Sequence, residues 1–113
     1  MVNSKVIEIY EDEKGNCPFT EWLEGLKDLK VKSRIINRLM RLELGQYGDY
    51  KATSAGVKEL RFHFGSGYRI YFGELNGRII ILLIGGDKGS QDKDIAKAKV
   101  YWKDVQENRD GKV

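Results

Sequence analysis

The chain has 113 residues, 41% of them hydrophobic and 33% charged, the size and balance of one compact domain over residues 1–113 rather than a multidomain enzyme. Its 20 Lys and Arg against 17 Asp and Glu leave a net charge of only +3, so a polyanion would have to be met by a local basic face. One cysteine, Cys17, and one histidine, His63, exclude an internal disulfide and a His/Cys zinc cluster.

The segment MVNSKVIEIYEDEKG lacks the apolar core and small-residue cleavage site of a signal peptide. The longest apolar run, Ile79 to Ile84, is far short of the ~20 residues of a membrane helix. The expectation is a cytoplasmic protein with no membrane contact.

Val6, Ile7, Ile9 and Tyr10 form a β-prone run ending in the turn-rich stretch Glu11 to Asn16, which predicts a first strand. Pro18 suits a first helical turn, and Phe19, Trp22, Leu23 and Leu26 recur at helical spacing up to about Asp28. Val31, Ile35, Leu39 and Leu42 mark the inner face of a second helix, with Ile36 and Met40 widening the stripe and Gly45 as its stop. Lys30, Arg34, Arg38 and Arg41 fall within about 80° of one another on a different face, a basic ridge that a solvated surface would explain as well. Gln46 to Gly56 reads as an exposed loop, in which Tyr47 and Tyr50 beside Lys51 could stack on bases.

Val57 to Phe64 alternates, with Leu60, Phe62 and Phe64 on one face and Glu59, Arg61 and His63 on the other. A three-residue loop at Gly65-Ser66-Gly67 would set Phe64 opposite Tyr68, Phe62 opposite Ile70, Leu60 opposite Phe72, Arg61 opposite Tyr71 and His63 opposite Arg69. Asn76-Gly77 predicts a second hairpin, and the continuous aliphatics of Arg78 to Ile84 imply cover on both sheet faces. Ile95, Ala98, Trp102 and Val105 mark a terminal helix with Ser90 or Asp92 as N-cap, fraying from about Glu107. The order β-α-α-β-β-β-α predicts an α+β fold, with two N-terminal helices and a C-terminal helix on a small, mainly antiparallel sheet.

Facing residues on one side of a sheet stand about 5 Å apart, so Arg61, His63 and Arg69 could surround one phosphate. Solvent-facing sheet residues, with Tyr71 shielding the backbone, are the plain alternative. Gly85-Gly86-Asp87-Lys88-Gly89 could add backbone amides, the Lys88 ammonium and a helix N-terminus, or could be a mere connection. It is not a P-loop, since no G-x-x-x-x-G-K-[ST] is present. No two-metal carboxylate pair or nucleophile elbow is legible. Cys17 reads as an inert thiol, and Trp22 and Trp102 as core or interface anchors.

The strings FTEWLEGLKDLKVKSRIINRLMRLELGQYGDYKATSAGVKELRFHFGSGYRIYF and LLIGGDKGSQDKDIAKAKVYW, from Phe19 to Trp102, resemble the phage-derived Gp49-like group of the RelE/ParE toxin superfamily. Its members are often described as HigB-like or as addiction module killer proteins. The resemblance implies the RelE-like fold and a type II toxin that cuts mRNA on the ribosome without a metal or cofactor, by attack of the RNA 2′-hydroxyl on the scissile phosphate. Carried over by motif, Arg61 and Arg69 would stabilise phosphoryl charge and His63 would act as general acid or base, because imidazole changes charge nearest neutrality. Lys88 would bind phosphate or share proton transfer. Arg34, Arg38, Arg41, Lys51, Lys58 and Tyr71 would contact RNA or the ribosome. Where relatives carry a tyrosine or further basic residue near the final helix, this sequence has Gln91, Asp92 and Asp94. The implied partner is an antitoxin with a helix-turn-helix domain, for which the final helix around Trp102 is a candidate contact. ParE-like relatives inhibit DNA gyrase instead, and an inactive antitoxin-binding module is a third possibility; the basic cluster favours RNA cleavage.

Overall fold

The computed structural model describes residues 4–110. They form strand β1 (Val6–Ile9), helices α1 (Pro18–Gly25) and α2 (Leu29–Glu43), strands β2 (Tyr50–Ala52), β3 (Lys58–Arg61), β4 (Arg69–Leu75) and β5 (Ile79–Gly86), a short 3-10 turn at Lys88–Ser90, and α3 (Gln91–Asp110). The strands make one sheet in the order β1-β5-β4-β3-β2. All neighbours are antiparallel except β1 and β5, which run parallel.

Both sheet faces are covered. Leu60, Phe62, Ile70, Phe72, Ile80 and Leu82 pack with Phe19 of α1 and Ile35 and Leu42 of α2. Tyr71, Ile81 and Leu83 pack with Ala98, Trp102 and Val105 of α3. The unbroken aliphatic run of β5 follows, since successive side chains of that strand enter opposite cores. Two glycines admit the large rings: a Cβ at Gly73 would overlap the Trp102 indole, and one at Gly85 the Trp22 indole.

Four details differ from the sequence reading. The stretch Gln46 to Gly56 contains an edge strand, β2, whose three residues are all exposed and so carry no apolar alternation. The first helix stops at Gly25, because Asp28 serves α2 as N-cap, its side chain accepting from the amides of Lys30 (2.9 Å) and Val31 (3.4 Å). Ile36 and Met40 of α2 stay exposed rather than joining the core. The β3–β4 register is shifted by two residues: Arg61 faces Arg69, Leu60 faces Ile70 and Glu59 faces Tyr71.

The longer hairpin loop has a backbone cause. The Phe62 amide donates to the Tyr68 carbonyl at 3.0 Å, and a tight turn inside the loop closes from the Gly67 amide to the Phe64 carbonyl at 3.1 Å. Gly65 (φ 58°) and Gly67 (φ 76°) supply the left-handed conformations this needs. A two-residue shift keeps every side chain on its face, whereas a one-residue slip would have exposed the core. It changes only who meets whom.

The chain from Glu107 to Asp110 continues the α3 helix rather than fraying, and residues 111–113 lie outside the described residues. Among the described residues no helix is long and apolar enough to cross a membrane.

Candidate functional site

The face carrying Glu59, Arg69 and Tyr71 is not open to solvent, because all three are buried. The Glu59 carboxylate accepts from the Tyr71 hydroxyl at 3.1 Å and from Gln91 Nε2 at 2.7 Å, and lies 3.9 Å from Arg69 Nε. Arg69 Nη1 donates to the carbonyls of Gly67 (2.9 Å), Tyr68 (3.2 Å) and Phe62 (3.4 Å). Arg69 therefore braces the hairpin turn from within. Tyr71 is not a surface contact, and its phenol is pushed up first by burial and then by the Glu59 charge beside it. Like-charged arginines facing each other without an acidic partner would call for an external anion. Here each has its own carboxylate, Glu59 for Arg69 and Asp49 for Arg61.

Asp49 precedes β2, and its carbonyl accepts from the Arg61 amide at 3.0 Å, which sets it beside the end of β3. Its Oδ2 is hydrogen-bonded to His63 Nε2 and lies 3.9 Å from Arg61 Nε. The bond from His63 holds the Asp49 carboxyl below the usual carboxylate range; burial opposes this, and the charges of Arg61, His63 and Arg38 support it. The sequence reading missed Asp49. It sits in a stretch without periodicity, and only the pairing of β2 with β3 brings it to His63.

Arg38 holds that arrangement together. Its Nη1 donates to the Arg61 carbonyl at 2.8 Å, and its Nη2 to the carbonyls of Tyr47 (3.0 Å) and Asp49 (2.9 Å). The guanidinium lies 4.9 Å from the Phe62 ring centre, and its burial lowers its pKa. Gly48, with φ at +66°, passes so close that a Cβ there would fall 2.9 Å from Arg38 Nη2. Arg34 lies over the Phe64 ring at 4.1 Å. Arg34, Arg38, Arg41, Asp49, Arg61 and His63 thus line one groove of about 300 Å³, with Phe62 and Phe64 in its wall. The basic ridge of α2 and the polar end of β3 are two sides of the same groove.

The expected phosphate cradle after β5 is already occupied by the protein itself. The amides of Asp87 and Ser90 bond Ser90 Oγ and Asp87 Oδ1 respectively, and the Lys88 amide donates to the Ser66 carbonyl at 3.3 Å. Asp94, which is buried, accepts from Ser90 Oγ at 2.5 Å. A Cβ at Gly86 would overlap that carboxylate, so this glycine makes room for an acid rather than for a phosphate. A cavity of about 760 Å³ does lie here, but Asp12, Glu21, Asp87 and Asp94 line it against one Lys97, the wrong sign for an anion. Lys88 itself is exposed and reaches the hairpin turn rather than the groove wall.

The remaining candidates are dispersed. Lys58 pairs with Glu74 at 3.3 Å, alongside Lys5 Nζ at 3.1 Å and the Tyr47 hydroxyl at 2.7 Å. Burial would raise the Glu74 carboxyl, but bonds from Tyr47, Lys5 and Lys58 outweigh it and hold it below the ordinary value. Tyr47 is thereby committed and packs on Phe72, whereas Tyr50 and Lys51 are exposed. Trp102 is buried under Gly73 and offers no partner surface. Burial, with Glu11, Glu21 and Asp12 nearby, pushes the Cys17 thiol up, away from thiolate reactivity.

Residues 21–107 match the family described as "Phage derived protein Gp49-like (DUF891)". A relative from Haemophilus influenzae, an uncharacterized protein, is 47% identical over 92 residues, covering 81% of this chain and 93% of the relative. The family match spans every residue of the groove. The chain, with its Asp49-supported His63 set among arginines, belongs to the phage-derived Gp49-like family.

Proposed function

We propose that this Gp49-like protein is the toxin of a type II toxin-antitoxin pair, of the HigB-like branch of the RelE/ParE superfamily, and that it is a ribosome-dependent mRNA endoribonuclease of the cytoplasm. The observation that carries this reading is the convergence of Arg61, His63, Arg34 and Arg41 on one groove, with Asp49 behind the imidazole. Cationic side chains converging along one groove suit the phosphates of single-stranded RNA.

In this reading the RNA 2′-oxygen attacks the adjacent phosphorus and the P–O5′ bond breaks, giving a cyclic phosphate and a free 5′-hydroxyl. Nε2 of His63 is engaged with Asp49, which leaves Nδ1 to take the 2′-hydroxyl proton; the leaving 5′-oxygen takes one from water. Arg61, with Arg34 and Arg41, stabilises the charge developing on the phosphoryl oxygens. Arg69 acts at one remove, through the turn it braces, and Lys88 meets a flanking phosphate. An antitoxin, with a helix-turn-helix domain, is the neutralising partner.

Induced expression of the wild type, His63→Ala and Arg61→Ala in a bacterium, followed by primer extension on a translated message and its untranslated counterpart, tests this. Cuts confined to the translated message and lost in both variants support the nuclease. Growth arrest without cuts points to gyrase inhibition, and neither effect leaves an antitoxin-binding module.

A further inference from the structure

The cavity beside the β5–α3 connection has the wrong sign for RNA and the right one for a cation. Its volume of about 760 Å³ is that of a small-molecule site. Four segments enclose it: the turn after β1 supplies Asp12, α1 supplies Glu21 and Trp22, the end of β5 supplies Gly86, and α3 supplies Asp94 and Tyr101.

Asp94 sets this cavity apart from an acidic stretch of surface. The residue is 6% exposed, yet among the described residues its one hydrogen-bond partner is the Ser90 hydroxyl on Oδ2, and it forms no ion pair. Its Oδ1 is left open. A carboxylate held out of water without a counter-charge is costly, and the space before this one is the cavity it lines. Glu21, exposed on α1, has no hydrogen-bond or ion-pair partner for its side chain among the described residues either, and Lys97 lines the same cavity without pairing with an acid. The Tyr101 phenol feels the convergence: burial raises its pKa first, and the charges of Asp12, Glu21 and Asp94, from three different segments, raise it further.

This arrangement selects its ligand. A divalent metal needs several oxygens in one coordination shell, and among the described residues no three His, Cys, Asp or Glu side chains are grouped closely enough to hold one. The acids stand apart around a wide space that the rings of Pro18, Trp22 and Tyr101 also line. Ammonium groups spaced along an apolar chain match both features, since the charges meet carboxylates and the methylenes and cations lie on the rings.

We propose that this cavity binds a linear aliphatic polyamine, with one ammonium group on Asp94 Oδ1, another on Glu21, and the chain between them against Trp22 and Tyr101. The site shares no residue with the arginine groove, so it stands whether or not the groove cuts RNA.

Calorimetric titration of the full chain with spermidine tests this, and one molecule should bind per chain. Asp94→Asn keeps an acceptor for Ser90 and should weaken binding by about tenfold. Glu21→Gln, at the surface, should weaken it by about threefold. Glu24→Gln removes the same charge from an exposed position of α1 outside the cavity and should leave the affinity unchanged. Lys97→Ala should tighten binding, because it removes a repelling cation. If the melting temperature shows Asp94→Asn to be misfolded, Glu21→Gln and Lys97→Ala decide the matter. Absence of spermidine binding, or undiminished binding by the folded cavity variants, overturns the site. Equal weakening by Glu21→Gln and Glu24→Gln overturns it in favour of diffuse surface charge. Magnesium chloride that binds with the same response to the variants overturns it in favour of a metal ion, and a trilysine peptide that binds more tightly than spermidine overturns it in favour of the lysines of a partner protein.

Discussion

Asp49 and His63, fourteen positions apart in the chain, are joined side chain to side chain, with Arg61 Nε 3.9 Å from the same carboxylate oxygen. A carboxylate on one imidazole nitrogen fixes the ring and leaves the other nitrogen as the free base. Asp49→Asn should keep the fold, as judged by circular dichroism, and lower cleavage by about 10- to 100-fold. Its rate should also respond to pH differently from that of wild type, whereas a merely structural role for Asp49 would lower the rate without altering the profile.

Arg38 and Arg34 share the ridge but not the work. Arg38→Ala takes one donor from each of three carbonyls and should cost about 1 to 3 kcal/mol, read as a lower urea midpoint. Arg38→Lys should not restore it, since one ammonium cannot reproduce the planar fork. Arg34→Ala and Arg41→Ala should leave the midpoint nearly unchanged. They should instead flatten the salt dependence of RNA binding, the log–log slope falling by about one for each phosphate no longer neutralised.

Beneath α3, Tyr71→Phe removes one of two hydrogen-bond donors from the buried Glu59 and should destabilise by about 1 to 2 kcal/mol. Glu59→Ala strands the Arg69 charge in the interior, and removing one partner of a buried pair costs about 3 to 5 kcal/mol. Thermal melts of the two variants should rank in that order. Equal effects would mean that Glu59 matters only as the acceptor of the tyrosine.

Glu74 contributes a pH dependence to stability. Its carboxyl is held below the ordinary glutamate value by Tyr47, Lys5 and Lys58, so the folded state binds its proton less readily than the unfolded chain does. The resulting stability is fully present above about pH 5, where the unfolded glutamate is already ionised. It is lost as the pH falls through the lowered folded value. Wild type should therefore exceed Glu74→Gln in melting temperature near neutrality, and the gap should shrink below about pH 4.

Much of this arrangement is legible in the residues. The period-two pattern of Leu60, Phe62, Ile70 and Phe72 placed them on one face, and the aliphatic β5 announced a sheet covered twice. A two-residue change of register left those faces intact. It did not leave the pairs intact, and the site is made of pairs: Arg61 against Asp49, Arg69 against Glu59. Loop length was the obscure quantity, because Gly65 and Gly67 are compatible with both a three- and a five-residue connection. β2 was hidden for a related reason, since an edge strand exposed throughout has no burial pattern to show. The two glycines after Ile84 looked like room for a ligand, yet Gly85 clears Trp22 and Gly86 clears Asp94; composition alone does not distinguish the two uses.

The parallel seam between β1 and β5 imposes an order of assembly. Val6 pairs with Ile79 and Ile9 with Leu82, so β1 finds its partner only 73 positions further along the chain. β3, β4 and β5 meet through two hairpins and close over short separations, whereas the β1 seam is a slow, long-range step. A chain cut short before β5 would carry β1 as an unpaired strand with Ile7, which otherwise packs on the core, uncovered, a template for aggregation. The groove-forming hairpin can thus take shape early, but the sheet is sealed only when β5 reaches back to β1.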